Sequence, residues 1–263
     1  MTGDVGSRDR PDVDGALAQR TRRVVAEVDV PAVAGNIPRQ VLVAVRQALL
    51  DGETHYTSRP GLPELRLRLA KEVARLGGPS YDPDASVVVT SGAREALYVT
   101  LQALGVGPGR VLVTSSESAR PVLDGGLWGL MELAVEPSIP SARATPETRL
   151  AYREWPGSRD AHDALRALAA EADLPDVLVV RDMGHRAVQP ASEAFPPLTL
   201  DRTILIGSLD ALPGVETFGL GFVAGPPPAL AKIRTWKQAL SICTPAPSQR
   251  AGLAALETWG VGG

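Results

Sequence analysis

Asp182 and His185 in LVVRDMGHR put a carboxylate and an imidazole three residues apart at the end of an apolar run. A carboxylate there needs a partner, which a ligand, Arg181, Arg186 or a turn of backbone would each provide. The imidazole suits a general base near neutral pH, or fills space beside the strand. A second group lies in VTSGAREAL, where Ser91, Gly92 and Ala93 fall between an apolar strand and a helix. Backbone amides at a helix start lack intrahelical acceptors and can receive an anion, and Gly92 permits close approach; the same joint also occurs purely for packing. A third group sits in ILIGSLDALPGVETFGLGFVAGP, residues 204–226, which parses as strand, loop, strand with Ser208, Asp210 and Glu216 between the apolar runs. Asp210 is either a proton acceptor or a solvated loop carboxylate.

Other side chains form no comparable group. His55, His162 and His185 are dispersed, and no Cys/His spacing matches a structural metal site, so no metal is expected. Cys243, the single cysteine, excludes an intrachain disulfide and has no neighbouring His to activate it. Ser115, Ser116 and Ser118 have no assigned base, and the four tryptophans form neither a helical stripe nor an alternation with basic residues. With 30 acidic and 27 basic residues the formal charge is -3, which argues against a nucleic-acid partner. No apolar run approaches a membrane span and no basic-plus-apolar leader opens the sequence, so a membrane location is not expected and the cytoplasm is the default. Only Lys71, Lys232 and Lys237 supply side-chain amines.

Alternating strands and helices must position these groups. NIPRQVLVAVRQALLDG predicts a helix with Val41, Val45, Ala48 and Leu49 at helical spacing, opened near Pro38 and stopped at Gly52. The turn-rich THYTSRPG leads into LPELRLRLAKEVARLGG, a helix with Leu65, Leu69 and Val73 on one face. SVVVT, RVLVTSS, MELAVEP, DVLVVRD and TILIGSL read as strands, FGLGFVAGPP returns towards the sheet, and PALAKIRTWKQALSI starts the last long helix. Residues 138–158, with several prolines, read as a surface run. Residues 1–23 read as a flexible arm and 24–263 as one layered α/β domain ending in a connecting helix.

Four blocks in order carry a resemblance: YTSRPGLPELR, VTSGAREAL, LVVRDMGHR and GSLDALPGVETFGLGFVAGP. The chain resembles the large domain of fold-type I pyridoxal-phosphate enzymes, specifically the class I/II aminotransferases, over most of residues 30–257. The resemblance implies a three-layer α/β fold with a mostly parallel central sheet, and with the C-terminal small domain absent because the sequence stops at Gly263. It also implies a homodimer. In that family the residue matching Tyr56 reaches the cofactor phosphate of the neighbouring subunit; a dimer packing contact is the plainer role. Ser91, Gly92 and Ala93 match the phosphate-binding turn, Ser208 a serine near the phosphate, and Asp182 the carboxylate that pairs with the pyridine nitrogen.

The departures fall in the chemical half. Where the family writes its Schiff-base lysine, this chain has Ser208-Leu209 followed by either Asp210 or a deletion, neither of which supplies an amine, and Gly219 stands where an Arg grips the substrate carboxylate. The stacking aromatic expected near Ser118 is missing, REWPGS keeps only an echo of the block that contacts the ring hydroxyl, and His185 replaces a Tyr. These losses imply a truncated, degenerate aminotransferase-like protein that binds a small ligand or a protein partner instead of transaminating. Any pyridoxal phosphate or related ligand is then held noncovalently. Two alternatives stand beside this: an enzyme of a specialised biosynthetic route using lysine-independent chemistry at Asp182 and His185, and a non-catalytic subunit of a heteromer whose partner supplies the lysine.

Overall fold

The computed structural model describes residues 37–104 except 76–78, residues 203–259 except 211 and 213, and the backbone of four strands at 110–114, 132–136, 148–154 and 178–182. Helices begin and end where stiff and permissive residues fall. The first, α1 (Arg39–Leu50), starts behind Pro38 at φ -55° and is followed by Gly52 at φ 74°. Next, α2 (Pro63–Arg75) opens on a proline with Glu64 in its first turn and buries Leu65, Leu69 and Val73, the face its spacing predicts. A single turn, α3 (Pro83–Ser86), is capped by the Asp82 carboxylate, which accepts from the Asp84 amide. The longer helices α4 (Gly92–Leu104), α5 (Pro227–Ser241) and α6 (Ala246–Trp259) complete the described set.

The strands are β1 (Val87–Thr90), β2 (Arg110–Thr114), β3 (Glu132–Glu136), β4 (Thr148–Glu154), β5 (Leu178–Asp182), β6 (Thr203–Ser208) and β7 (Gly221–Ala224). They form one sheet in the order β1-β7-β6-β5-β4-β2-β3. From β3 across to β6 the pairings are parallel. At the other end β7 runs antiparallel to both β6 and β1. The expectation of a mostly parallel sheet is therefore corrected to a mixed one: every pairing among the strands with described side chains, β1, β7 and β6, is antiparallel. The cause is the β6–β7 connection, 209–220, whose described residues contain a short 3-10 turn at Glu216–Phe218 but no crossover helix to bring the chain back in the parallel sense. A second correction concerns residues 138–158, which include β4, a strand flanked by β2 and β5.

Helices cover both faces of this mixed end, so its strands are apolar on both sides. Val87, Val89, Leu205, Phe222 and Ala224 belong to one core, with Leu65, Leu69 and Val73 of α2 and Ala251, Ala255 and Leu256 of α6. Their neighbours Val88, Ile204, Ile206 and Val223 belong to the other, with Leu97 and Leu101 of α4 and Leu230 and Ile233 of α5. The change of core at every residue is the two-residue period of a strand.

The loop from α1 to α2 is tied to the end of β1. Gln249 of α6 is fully buried; its Nε2 donates to Thr57 Oγ1 (3.1 Å) and the Thr244 carbonyl (2.7 Å), and its Oε1 accepts from the Leu62 amide (2.7 Å). The Val89 amide donates to the Pro60 carbonyl at 2.8 Å. Gly61, at φ 106°, lies where an added Cβ would stand 2.4 Å from Val89 Cγ2, so both backbone angle and space require glycine.

Candidate functional site

The strongest local structure is the turn from β1 into α4. Thr90 is buried and its hydroxyl donates to the Gly92 carbonyl at 3.0 Å, while Gly92 takes φ 81°. Ser91 is exposed, Gly92 buried and Ala93 half-buried. The Glu95 carboxylate reaches back to accept from the Ser91 amide. A carboxylate accepting from an amide at a helix start caps it and complements the helix dipole. It leaves the amides of Gly92, Ala93 and Arg94 as the helix-opening donors without intrahelical acceptors, the kind of donor set that suits an anion.

Glu95 is itself held from the neighbouring helix. Lys237 of α5, 1% exposed, places Nζ 3.3 Å from Glu95 Oε2 and 2.9 Å from Ser241 Oγ, and the Ser241 hydroxyl donates to Glu95. Sequence reasoning missed this cluster. The local signal was present, since SGARE has a carboxylate spaced to cap its own turn, but Lys237 lies 142 residues further on and nothing in the chain order couples the two.

The β6–β7 loop abuts this turn. An added Cβ on Gly221 would lie 2.4 Å from the Gly92 carbonyl carbon, so the first residue of β7 rests backbone against backbone on the α4 start. Ser208 pairs with Gly221 across the ladder. Its buried hydroxyl donates to the Leu220 carbonyl at 3.3 Å and accepts from the Asp210 amide at 3.0 Å, so its only proton is committed within the loop. Asp210 follows, and its Oδ1 is buried with no hydrogen-bond donor among the described residues. Gly219 has φ 56° and open space where a side chain would begin. Asp182 ends β5 in register with Ile206 of β6, which brings its backbone to the same edge of the sheet as Ser208. His185 lies outside the described residues.

Tyr56 stands apart from these contacts. It is 78% exposed and lines an open cleft of about 450 Å³ with Glu53, His55, Cys243, Pro245 and Pro247. Arg250 crosses from α6 to bond Glu53 at 2.8 and 2.9 Å, and this hydrogen-bonded guanidinium holds the Glu53 carboxyl below the usual glutamate range. Among the described residues no group of His, Cys, Asp and Glu could hold a metal ion, and no helix is long and apolar enough to cross a membrane.

Comparison with known proteins places this geometry in a wider group. No family model matches the chain. The probable N-succinyldiaminopimelate aminotransferase DapC of Mycobacterium tuberculosis is 30% identical over 267 residues, covering 92% of this chain and 66% of that protein. Its solved structure superposes with a TM-score of 0.72 at 25% identity, covering 93% of this chain and 69% of the other. The chain belongs to the fold-type I pyridoxal-phosphate-dependent aminotransferase family. The aspartate aminotransferase of Geobacillus stearothermophilus is 27% identical over 212 residues, covering 73% of this chain and 53% of that protein. The chain thus spans about two thirds or less of the length of these curated relatives. Within the aminotransferase fold, the turn at Gly92, the end of β5 at Asp182 and the loop at Ser208 and Asp210 converge on one edge of the sheet.

The Glu95–Lys237 pair supplies a test of how the α4 turn is held. In E95A the buried Lys237 ammonium loses its carboxylate, and the expected cost is about 3–5 kcal/mol in urea unfolding. The double change E95L/K237M removes both charges and should recover at least half of that loss. An E95A loss below about 1 kcal/mol would contradict a buried, coupled pair.

Proposed function

We propose that this chain binds a phosphate-bearing pyridine ligand of the pyridoxal phosphate class without covalent attachment, and that it does not transaminate. One observation carries the reading: the loop that follows β6, where the family's lysine is expected, opens Ser208-Leu209-Asp210 and holds no amine. The phosphate end suits an anion, because Gly92, Ala93 and Arg94 open a helix of 13 residues beside the exposed Ser91. Asp182, at the end of β5, would meet the ring nitrogen, and bound pyridoxal phosphate would supply an electron sink there. Ser208 acts by fixing the loop, since its hydroxyl joins Leu220 to Asp210. Gly219 offers no guanidinium for a substrate carboxylate. His185 remains the proton acceptor of choice should the site carry lysine-independent chemistry, as expected for a specialised biosynthetic enzyme.

None of the three lysines replaces the missing amine. Lys71 and Lys232 are exposed on α2 and α5, and Lys237 is committed to Glu95 and Ser241. Incubation with pyridoxal phosphate followed by borohydride and peptide mapping should therefore give no stoichiometric, site-specific adduct, while equilibrium titration shows saturable binding. A stoichiometric adduct on Lys237 would mean that its pairing with Glu95 opens to expose a relocated amine.

The assembly proposed is a homodimer. On α1, Leu42, Val43, Leu49 and Leu50 are 52%, 56%, 52% and 66% exposed, although the opposite side of the helix buries Val41 and Ala48. Positions 42 and 49, and 43 and 50, are seven apart and share one face, so α1 is apolar on two sides. Tyr56 follows in the next loop. A stripe of this kind suits a second copy of the chain, which would bring Tyr56 to the neighbouring site. Light scattering across a tenfold concentration range should give twice 27.6 kDa, and L42E/L49E should shift the species to 27.6 kDa. A wild-type chain that stays at 27.6 kDa throughout would remove the dimer.

A further inference from the structure

The join between α5 and α6 holds the one residue other than glycine, among those described, with a positive φ. Ile242 sits at φ 63° and ψ -71°, and the Cys243 amide closes back on the Ser241 carbonyl at 2.7 Å. These angles and the two-residue span are those of the rare, strained form of γ-turn, and a β-branched residue is a poor occupant of it. The packing of Ile242 itself does not impose the conformation, since the residue is 40% exposed. Its neighbours do. On one side Ser241 is bonded to Lys237 and Glu95, and through Glu95 to the start of α4. On the other, Thr244 is buried and its carbonyl accepts from Gln249 Nε2 at 2.7 Å. Two anchored ends hold between them a backbone that would otherwise relax. Strain of this kind persists only where its surroundings overdetermine it, and it gathers at clamps and switches.

The residues that follow the turn form part of a cavity wall. Cys243, Pro245 and Pro247 line the open cleft of about 450 Å³ whose lining also includes Tyr56. The strained turn therefore joins the group that caps α4 to the wall of that cleft. We propose that residues 241–247 act as a strap under tension, closed in this structure, whose release frees Ser241 from Glu95 and reshapes the Tyr56 cleft in one step. An occupant that fits the cleft better with the strap released loosens the cap on α4. Conversely, a group that tightens the α4 turn holds the cleft in its present shape, and the two effects are equal in size. The coupling is a property of the protein's own backbone and hydrogen bonds, whatever the α4 turn binds.

Cys243 is the only cysteine of the chain and is half-buried, so the rate at which dithiobisnitrobenzoate labels it reports release of the strap. Labelling of the full native chain should be about tenfold or more slower than that of the urea-unfolded chain. Equal rates would overturn a strap that is held closed. I242G removes the steric objection to positive φ, whereas I242A shortens the side chain but keeps that objection. I242G should therefore label about fivefold more slowly than I242A, a ratio at the low end of what such strain supports. Equal rates in these two variants would overturn the stored strain. S241A unties the α4 end while leaving the Glu95–Lys237 pair in place, and should speed labelling about fivefold. Adding I242G to S241A should return the rate to within about twofold of wild type, because the anchor is needed only to hold the strain. An S241A rate equal to wild type, or a double variant as fast as S241A, would overturn the coupling to α4.

Discussion

The end of the molecule that carries the candidate site depends on one carboxylate. Glu95 joins the Ser91 amide at the start of α4 to the Lys237 ammonium and Ser241 hydroxyl of α5, so a single side chain caps a helix, closes a buried charge and ties two helices of one layer together. Because Gly221 rests directly on Gly92, the same fixed turn sets where β7 begins, and the ladder from Gly221 to Ser208 sets where the β6–β7 loop leaves the sheet. The positions of Ser208 and Asp210 are thus consequences of how α4 starts. A buried ion pair is a costly way to hold a turn, and its retention is intelligible if the turn's geometry matters more than its contribution to stability.

Much of this was legible in the sequence, for identifiable reasons. The strands around Val87, Ile204 and Phe222 are short apolar runs bounded by Gly, Ser or Pro, and both of their faces are buried, so composition alone marks them. The helices at 39–50 and 63–75 announced themselves by Val41, Leu65, Leu69 and Val73 at helical spacing. The direction of β7 was also available, because the twelve residues between β6 and β7, with Pro213-Gly214 among them, carry no helical pattern long enough for a parallel crossover, yet the family likeness favoured a mostly parallel sheet over that local signal. The strand at 148–154 was hidden by its own composition: TRLAYRE alternates too many charged and polar residues with its apolar ones to stand out from the proline-containing stretch before it.

The site itself divides in the same way. The strand-to-helix turn at Ser91, Gly92 and Ala93 could be read from an apolar run, a glycine and a helical pattern in immediate succession. Ser208 was named by likeness, and in the structure its hydroxyl is spent inside the loop. Lys237 could not be assigned from sequence because burial and a partner at residue 95 exist only after folding. The absence of an amine from this loop was visible in the sequence; that Asp210 Oδ1 is buried without a donor among the described residues is a three-dimensional fact.

The central claim is that position 210 occupies the amine's place beside an intact phosphate-end turn. The D210K variant addresses it directly, by returning an amine to that position and nothing else. After incubation with pyridoxal phosphate and borohydride reduction, peptide mass mapping should find a stoichiometric pyridoxyl adduct at position 210. Absence of that adduct in a folded variant, or an adduct confined to Lys71, Lys232 or Lys237, would contradict the placement of Asp210 at the reactive end of the site.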